Sequence, residues 1–219
     1  TGWPLLIICL AIIPSLIFIQ NIFWWIGGSL LLFFILIGFI IIIPNGSKVM
    51  TLFGKYVGTI KQDGFYWANP FYFKRNISLR AHNFDSERLK VNDMRGNPIQ
   101  ISVILVWRVK DTFKATFEVE NLSNFVKVQT DSAVRKLAGN YPYDHVDNSD
   151  EITLRTSSQQ VNDSLEKELQ ERLEIAGIEV MEARIGYLAY ASEIAAAMLK
   201  RQQAEAIVAA RFKIVEGAV

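Results

Sequence analysis

From Trp3 to Ile43 the chain is apolar at almost every position, carries no charged residue and is broken at Gln20-Asn21. The two halves, Trp3–Ile19 and Ile22–Ile43, hold 17 and 22 residues, against the roughly 20 apolar residues that a spanning helix needs. The pattern predicts two membrane helices joined at a polar pivot. A single span and a re-entrant hairpin are the other readings of the same run. A cleaved signal peptide fits less well, because no basic residue precedes the run and no Ala-x-Ala-like site closes it.

After Pro44 the pattern changes to short β-prone pieces punctuated by glycine, over Ser47–Phe53, Tyr56–Ile60 and Gly64–Pro70. These predict a hairpin close to the membrane surface. Ile77–Phe84 and Glu87–Val91 read as further strands, and the Asn-Asp and Gly-Asn-Pro steps within Asn92–Pro98 as a turn. Over Ile99–Val109, Ile99, Ile101, Val103, Leu105, Trp107 and Val109 alternate with Gln100, Ser102, Ile104, Val106 and Arg108, the period of a strand with one face in a core. Ile104 and Val106 make the other face partly apolar, so part of it is expected to be covered.

Helical periods follow. Asn121 caps a predicted helix with Leu122, Phe125, Val126, Gln129, Ala133 and Leu137 on one face, ending at Gly139. A second starts at Ser157 with a capping-box Gln160, carries Val161, Leu165, Leu169 and Leu173, and stops at Gly177. Ile178–Ile185 returns to a strand. Strands, then two helices, then a strand predict an α+β domain with helices packed on an antiparallel or mixed sheet.

Beyond Gly186, Ser192 is placed to cap a helix from Glu193 to at least Glu216, about 36 Å long at 1.5 Å per residue. One apolar face collects Ile194, Ala197, Met198, Ala204, Val208, Phe212 and Val215, interrupted by Arg201 and Glu205. A roughly opposite face collects Leu199, Ala206, Ile207, Ala210 and Ile214. Two opposed apolar faces need a neighbour on each. Copies of the same helix would meet head-to-tail and generate a ring or filament; the alternative is a helix sandwiched within its own subunit. The expected oligomer contacts are Ile194, Met198, Arg201, Glu205, Ile207, Val208, Ala210, Phe212 and Ile214. The helical pattern is still open at Val219, so the helix is expected to continue.

Composition and charge narrow the function classes. The 219 residues carry a net charge of +1 with both signs interspersed, so nucleic acid is not an expected partner. The only cysteine, Cys9, lies in the apolar run, which excludes an intrachain disulfide and a soluble cysteine nucleophile. Lys48, Lys55 and Lys61 follow the run with no acidic residue before Asp63, placing the polar part on the cytoplasmic side by the positive-inside rule. Trp3, Trp24 and Trp25 read as interfacial anchors, the latter two equally as helix-packing residues. Phe65, Tyr66, Trp67, Phe71, Tyr72 and Phe73 cluster around Asn69-Pro70 and read either as a local core or as an aromatic surface entering the headgroup layer.

Candidate chemistry is sparse. His82 and His145 are the only histidines. Asp144, His145, Asp147 and Asp150 superficially offer metal ligands but read as a polar loop. No Gly-x-Ser-x-Gly, His-Glu-x-x-His or Walker motif is present, and no pair is singled out for Ser-Lys hydrolysis. No catalytic residue, metal or cofactor is expected.

The succession Pro44-Asn45-Gly46, Phe53-Gly54-Lys55-Tyr56, Asn69-Pro70-Phe71, Lys90-Val91-Asn92-Asp93, Val106-Trp107-Arg108-Val109, Ala176-Gly177-Ile178-Glu179-Val180 and Glu182-Ala183-Arg184-Ile185, directly after an apolar anchor, resembles the SPFH or band 7 domain of stomatins, prohibitins and flotillins. It looks most similar to bacterial stomatin-like members. Ser192 departs from a common proline, and flotillin-type Ala-Glu repeats are absent. The resemblance implies an anchor over 1–43, two small α+β subdomains over 44–95 and 96–186, and a long oligomerisation helix from 187 to 219. It further implies a non-enzymatic scaffold, integral to the cell's inner membrane, whose partners are the bilayer and its own copies in a large ring or cage. Regulation or enclosure of a membrane AAA protease or another membrane protein is the alternative, and a membrane-anchored Ser-Lys hydrolase the rival from another class.

Overall fold

The computed structural model describes positions 4 and 7 and residues 22–144 and 152–217. The first apolar half, Trp3–Ile19, and the pivot Gln20-Asn21 thus lie outside the described residues apart from positions 4 and 7. The chain forms two compact units, 1–81 with 108–120, and 82–107 with 121–219. These units differ from the sequence-drawn boundary at 95/96 because the strands either side of that turn pair with each other.

The second apolar half is not one helix. Helix α1 runs Ile22–Ile37, and Phe39–Ile42 turns into strand β1, antiparallel to β4 (Gly64–Trp67) with Phe39 opposite Trp67 and Ile42 opposite Gly64. Gly38 ends the helix, and the β-branched Ile40–Ile43 suit the strand that follows. A side chain at position 38 would come within 2.4 Å of the Trp67 indole nitrogen and 2.8 Å of the Ala68 carbonyl. That close approach lets the Trp67 indole donate to the Ile35 carbonyl at 2.9 Å, a helix-end carbonyl that also accepts from the Gly38 amide at 3.1 Å. No helix among the described residues is long and apolar enough to cross a membrane.

The rest of the first unit is a three-stranded sheet in the order β3 (Lys55–Ile60), β2 (Gly46–Leu52), β5 (Phe73–Ser78). Phe53 and Gly54 make the β2–β3 turn, both at positive φ (47° and 85°), the geometry that matches strand twist in a two-residue hairpin. Met50 packs with Ile40 and Ala68, and with the half-buried Ile60, Tyr66 and Tyr72. Val49, Thr59 and Arg75 share the opposite face, where Arg75 donates to the Thr116 carbonyl and Thr112 bonds Thr59. Thr112 and Thr116 belong to α2 (Thr112–Phe117), which Asp111 caps through the amides of Phe113 and Lys114. Its six residues are too few to show a period.

In the second unit β6 (His82–Asp85) and β7 (Leu89–Asn92) both pair antiparallel with β8 (Pro98–Val109), and β9 (Ile178–Tyr190) also pairs with β8. Ile99, Ile101, Val103, Leu105, Trp107 and Val109 are all buried, as their alternation requires. Ile104 stays exposed and Val106 half-buried, and Gly186 of β9 lies over Ile104 and Ser102 so closely that a Cβ there would be 3.0 Å from Ile104. β9 therefore runs five residues beyond its expected end at Ile185.

Helix α3 spans Leu122–Asn140, with Asn121 accepting from the Asn124 amide as its cap. Its buried face is Val126, Thr130, Ala133, Val134, Leu137 and Ala138, rotated from the expected one, with Leu122, Phe125 and Gln129 only partly covered. Helix α4 spans Ser158–Leu173 and buries Val161, Leu165, Leu169 and Leu173 completely. Ser157 stands at the N-cap without a side-chain capping bond, so the expected capping box does not form. The turn before it is instead closed by Thr153, whose hydroxyl accepts from the Thr156 amide and whose carbonyl accepts from the Ser157 amide. Gly177, at φ 66°, ends the 3-10 turn after α4 in the left-handed cap that glycine allows. Gln170 accepts from the Val180 amide and donates to the Ile178 carbonyl, and Asn162 accepts from the Ile185 amide, fixing β9 against α4.

Glu168 of α4 joins the two helices, receiving Lys136 at 2.6 Å and Arg172 at 2.7 Å. The Lys136 ammonium, with Arg172 adding to it and partial burial opposing, holds the Glu168 carboxyl below the ordinary range. A depressed carboxylate adds stability above its unfolded pKa and loses it as pH falls through the folded one. Glu168→Gln is therefore expected to destabilise the α3–α4 pair by about 1 kcal/mol at neutral pH. Amide exchange across both helices should show that difference shrink as pH falls below the ordinary carboxylate range and through the lowered folded value.

Candidate functional site

Two surfaces carry unsatisfied apolar groups, one in each unit. In the first unit α1 exposes Ile26, Leu30, Leu31, Phe33, Leu36 and Ile37, and β1 adds Ile41. Leu30, Leu31 and Phe34 line an open apolar groove of about 570 Å³ with Trp67, Pro70 and Phe71. The Phe71 ring lies 5.2 Å from that of Phe34 and is more than half exposed. Burying one such side chain away from water stabilises by roughly 1.5–3 kcal/mol, so this surface calls for a nonaqueous neighbour.

The aromatic cluster read from sequence divides. Trp67 and Phe71 belong to the exposed groove, Tyr66 packs into the Ile40–Met50–Ala68 core, and Phe65 stacks on Phe39 at 5.0 Å. Trp3 lies outside the described residues, and Trp24 and Trp25 are described only as helical backbone. Phe73 of the same cluster is 71% exposed, and Phe53, which sequence reasoning passed over, is 84% exposed. The Phe53-Gly54 turn was the available signal, since a turn tip leaves a large side chain uncovered.

In the second unit α5 runs Ser192–Glu216 and buries none of its residues. Ala191, not Ser192, occupies the N-cap, and no side chain caps this end. The helix is fastened at its base: the Ala191 amide donates to the Pro98 carbonyl, and Lys90 pairs with Glu193. Two turns further, Asp144 accepts from Arg201 Nη2 at 3.2 Å, Gln202 Nε2 at 2.9 Å and the Tyr190 hydroxyl at 2.9 Å. Tyr143 covers Tyr190 with ring centroids 4.0 Å apart. Burial, and then the Asp144 carboxylate, push the Tyr190 hydroxyl well above the ordinary tyrosine range, keeping it a donor. Asp144 itself is placed by the turn at Asp93, whose buried carboxylate accepts from the amides of Arg95, Asn97 and Tyr143.

This fastening splits the residues expected at the oligomer contact. Ile194, Met198, Arg201 and Glu205 are half-buried within the unit. Arg201 pairs with both Asp144 and Glu205, its Nε lying 3.3 Å from Glu205 without hydrogen-bond alignment. Ile207, Val208, Ala210, Phe212 and Ile214 are exposed, with every residue from Ala206 to Glu216. Among the described residues of its own unit, none covers that stretch.

Polar chemistry is structural where it is described. His82 stacks on Trp107 at 4.8 Å, and Asp144 is committed to α5, while His145, Asp147 and Asp150 lie outside the described residues. No cluster of three metal-ligating side chains occurs among the described residues. None of the curated proteins matches the chain. The family described as SPFH domain / Band 7 matches residues 40–218.

Proposed function

The chain belongs to the SPFH domain / Band 7 family, a scaffold-like, membrane-associated family, and from that premise we propose that it is a non-enzymatic scaffold whose copies assemble into a large ring or cage on the membrane. Residues 1–37 anchor it as an apolar hairpin, integral to the cell's inner membrane. The polar part faces the cytoplasm, in keeping with Lys48, Lys55 and Lys61.

The observation that carries this reading is the second half of α5. From Ala206 onward it holds Ile207, Val208, Phe212, Ile214 and Val215 in water, on two sides of one helix, which neighbouring copies of the same helix would cover. Native mass measurement of detergent-extracted protein is expected to give an assembly far above a trimer; a monomer would overturn the proposal. Cross-linked pull-down is expected to return mainly the chain itself, and stoichiometric recovery of a membrane protease would turn the scaffold into that protease's regulator.

A further inference from the structure

We propose that the groove beside the β1–β2 turn, holding Lys48 and Arg80, binds the phosphate of an anionic phospholipid headgroup. The groove has a volume of about 460 Å³, and its lining includes the polar Lys48, Arg80, Asn45 and Ser78 together with the apolar Ile41 and Ile43. Two cations with amide and hydroxyl groups are the donors that a phosphodiester oxygen seeks. Both isoleucines are more than half exposed; Ile41 stands on the strand that follows α1, and Ile43 directly follows that strand. A headgroup seated on the cations would leave its acyl chains against an apolar wall, which a free phosphate could not use. The inference rests on the membrane seating proposed above.

Charge supports the same ligand. Between Phe39 and Phe84, Asp63 is the only acidic residue, whereas Lys48, Lys55, Lys61, Lys74, Arg75 and Arg80 are basic. No carboxylate among the described residues lies within ion-pair distance of Lys48 or Arg80. Burial and then the Lys48 charge hold the Lys74 ammonium below its ordinary range, as expected beside an uncompensated positive site. In the second unit, by contrast, Lys136 and Arg172 are neutralised in place by Glu168.

The groove is also held in shape before any ligand arrives. Asn45 stands at φ 57°, a left-handed conformation uncommon outside glycine. Its carbonyl accepts from the Leu79 amide at 2.9 Å, tying the turn to the residue before Arg80. The Gly46 amide donates to the Ile43 carbonyl at 2.9 Å, and a Cβ on Gly46 would sit 3.0 Å from that oxygen. Ser47 donates its hydroxyl to the Ile77 carbonyl at 2.9 Å. Basic pockets at a membrane surface select anionic headgroups, each cation contributing about fivefold in affinity.

The test uses the full chain in uncharged detergent, titrated with short-chain phosphatidylglycerol, short-chain phosphatidylcholine or inorganic phosphate, with bound lipid read by native mass spectrometry. Phosphatidylglycerol is expected to bind at least tenfold more tightly than phosphatidylcholine. Lys48→Gln with Arg80→Gln is expected to weaken it roughly twentyfold. Lys48→Arg with Arg80→Lys should retain binding, and Lys55→Gln with Lys167→Gln should change it less than twofold. Equal binding of the two lipids, or an unaltered affinity in the Lys48/Arg80 glutamine variant, would overturn the proposal. Inorganic phosphate binding as tightly as the lipid would overturn the lipid assignment. The same spectra report particle mass: an intact assembly without headgroup preference counts against this groove alone, and a lipid-selective monomer against the scaffold alone.

Discussion

Glutamate at either Val208 or Ile214 is expected to collapse the extracted assembly to monomers while leaving the chain at the membrane. The two positions are six residues apart, about 600° of helical rotation, and so lie on different sides of α5. They are exposed to 54% and 71% in the isolated chain, so either substitution costs the monomer almost nothing. In an assembly each would place a carboxylate in an apolar contact, where an unpaired charge costs several kcal/mol. The pattern across single variants identifies the symmetry. In a head-to-tail contact the Val208 side of one copy meets the Ile214 side of the next, so breaking either side breaks every contact. Were each side to pair with its own kind, each single variant would leave dimers. Native mass after mild extraction reads the difference, and unchanged particles from both variants would sink the head-to-tail arrangement. Ile194, half-buried at the base of the helix, is expected instead to act on the fastening of α5.

What was legible in advance follows from how far each signal depends on distant partners. The alternation in β8 and the four-residue spacing of Val161, Leu165, Leu169 and Leu173 in α4 report burial directly, and those residues are all buried. The Phe39–Ile42 strand was not legible, because an all-apolar run has no period to separate helix from strand. Only Gly38 marked the break, and its meaning depends on Trp67, almost thirty residues away. The face of α3 was displaced by a buried threonine, Thr130, a residue type that a hydrophobic pattern discounts. The groove at Lys48 and Arg80 combines a turn and a strand end that sequence spacing keeps 32 residues apart. By contrast, the exposed half of α5 could be read from two apolar faces on one helix, because nothing earlier in the chain was left to cover both.

Asp144 shows the largest gap between its appearance in the sequence and its part in the structure. Next to His145 and close to Asp147 it read as part of a polar loop with only a superficial look of metal ligands; in the fold it is the fastening point of α5. Its side chain is 14% exposed and takes three donors, Tyr190, Arg201 and Gln202. Asp144→Ala is therefore expected to destabilise this joint by about 2 kcal/mol, below the 3–5 kcal/mol for breaking a fully buried pair because Arg201 retains access to water. The loss has two parts, an unpaired guanidinium and a covered tyrosine hydroxyl with no acceptor. Asp144→Asn keeps an oxygen for Tyr190 and removes the charge, and should recover about half of the loss. A double-mutant cycle with Arg201→Gln isolates the charge pair, with an expected coupling of about 1 kcal/mol. Hydrogen exchange provides the local readout: amides over the first three turns of α5 should exchange faster in the alanine variant, while those flanking Leu165 and Leu169 stay protected. The assembly should widen in its distribution of sizes without falling to monomers, since Val208 and Ile214 are untouched and only the angle of the helix on its base is loosened. Unchanged exchange in α5 would show that Lys90–Glu193 and the Ala191 amide hold the helix alone, and that the Asp144 carboxylate contributes nothing to its direction.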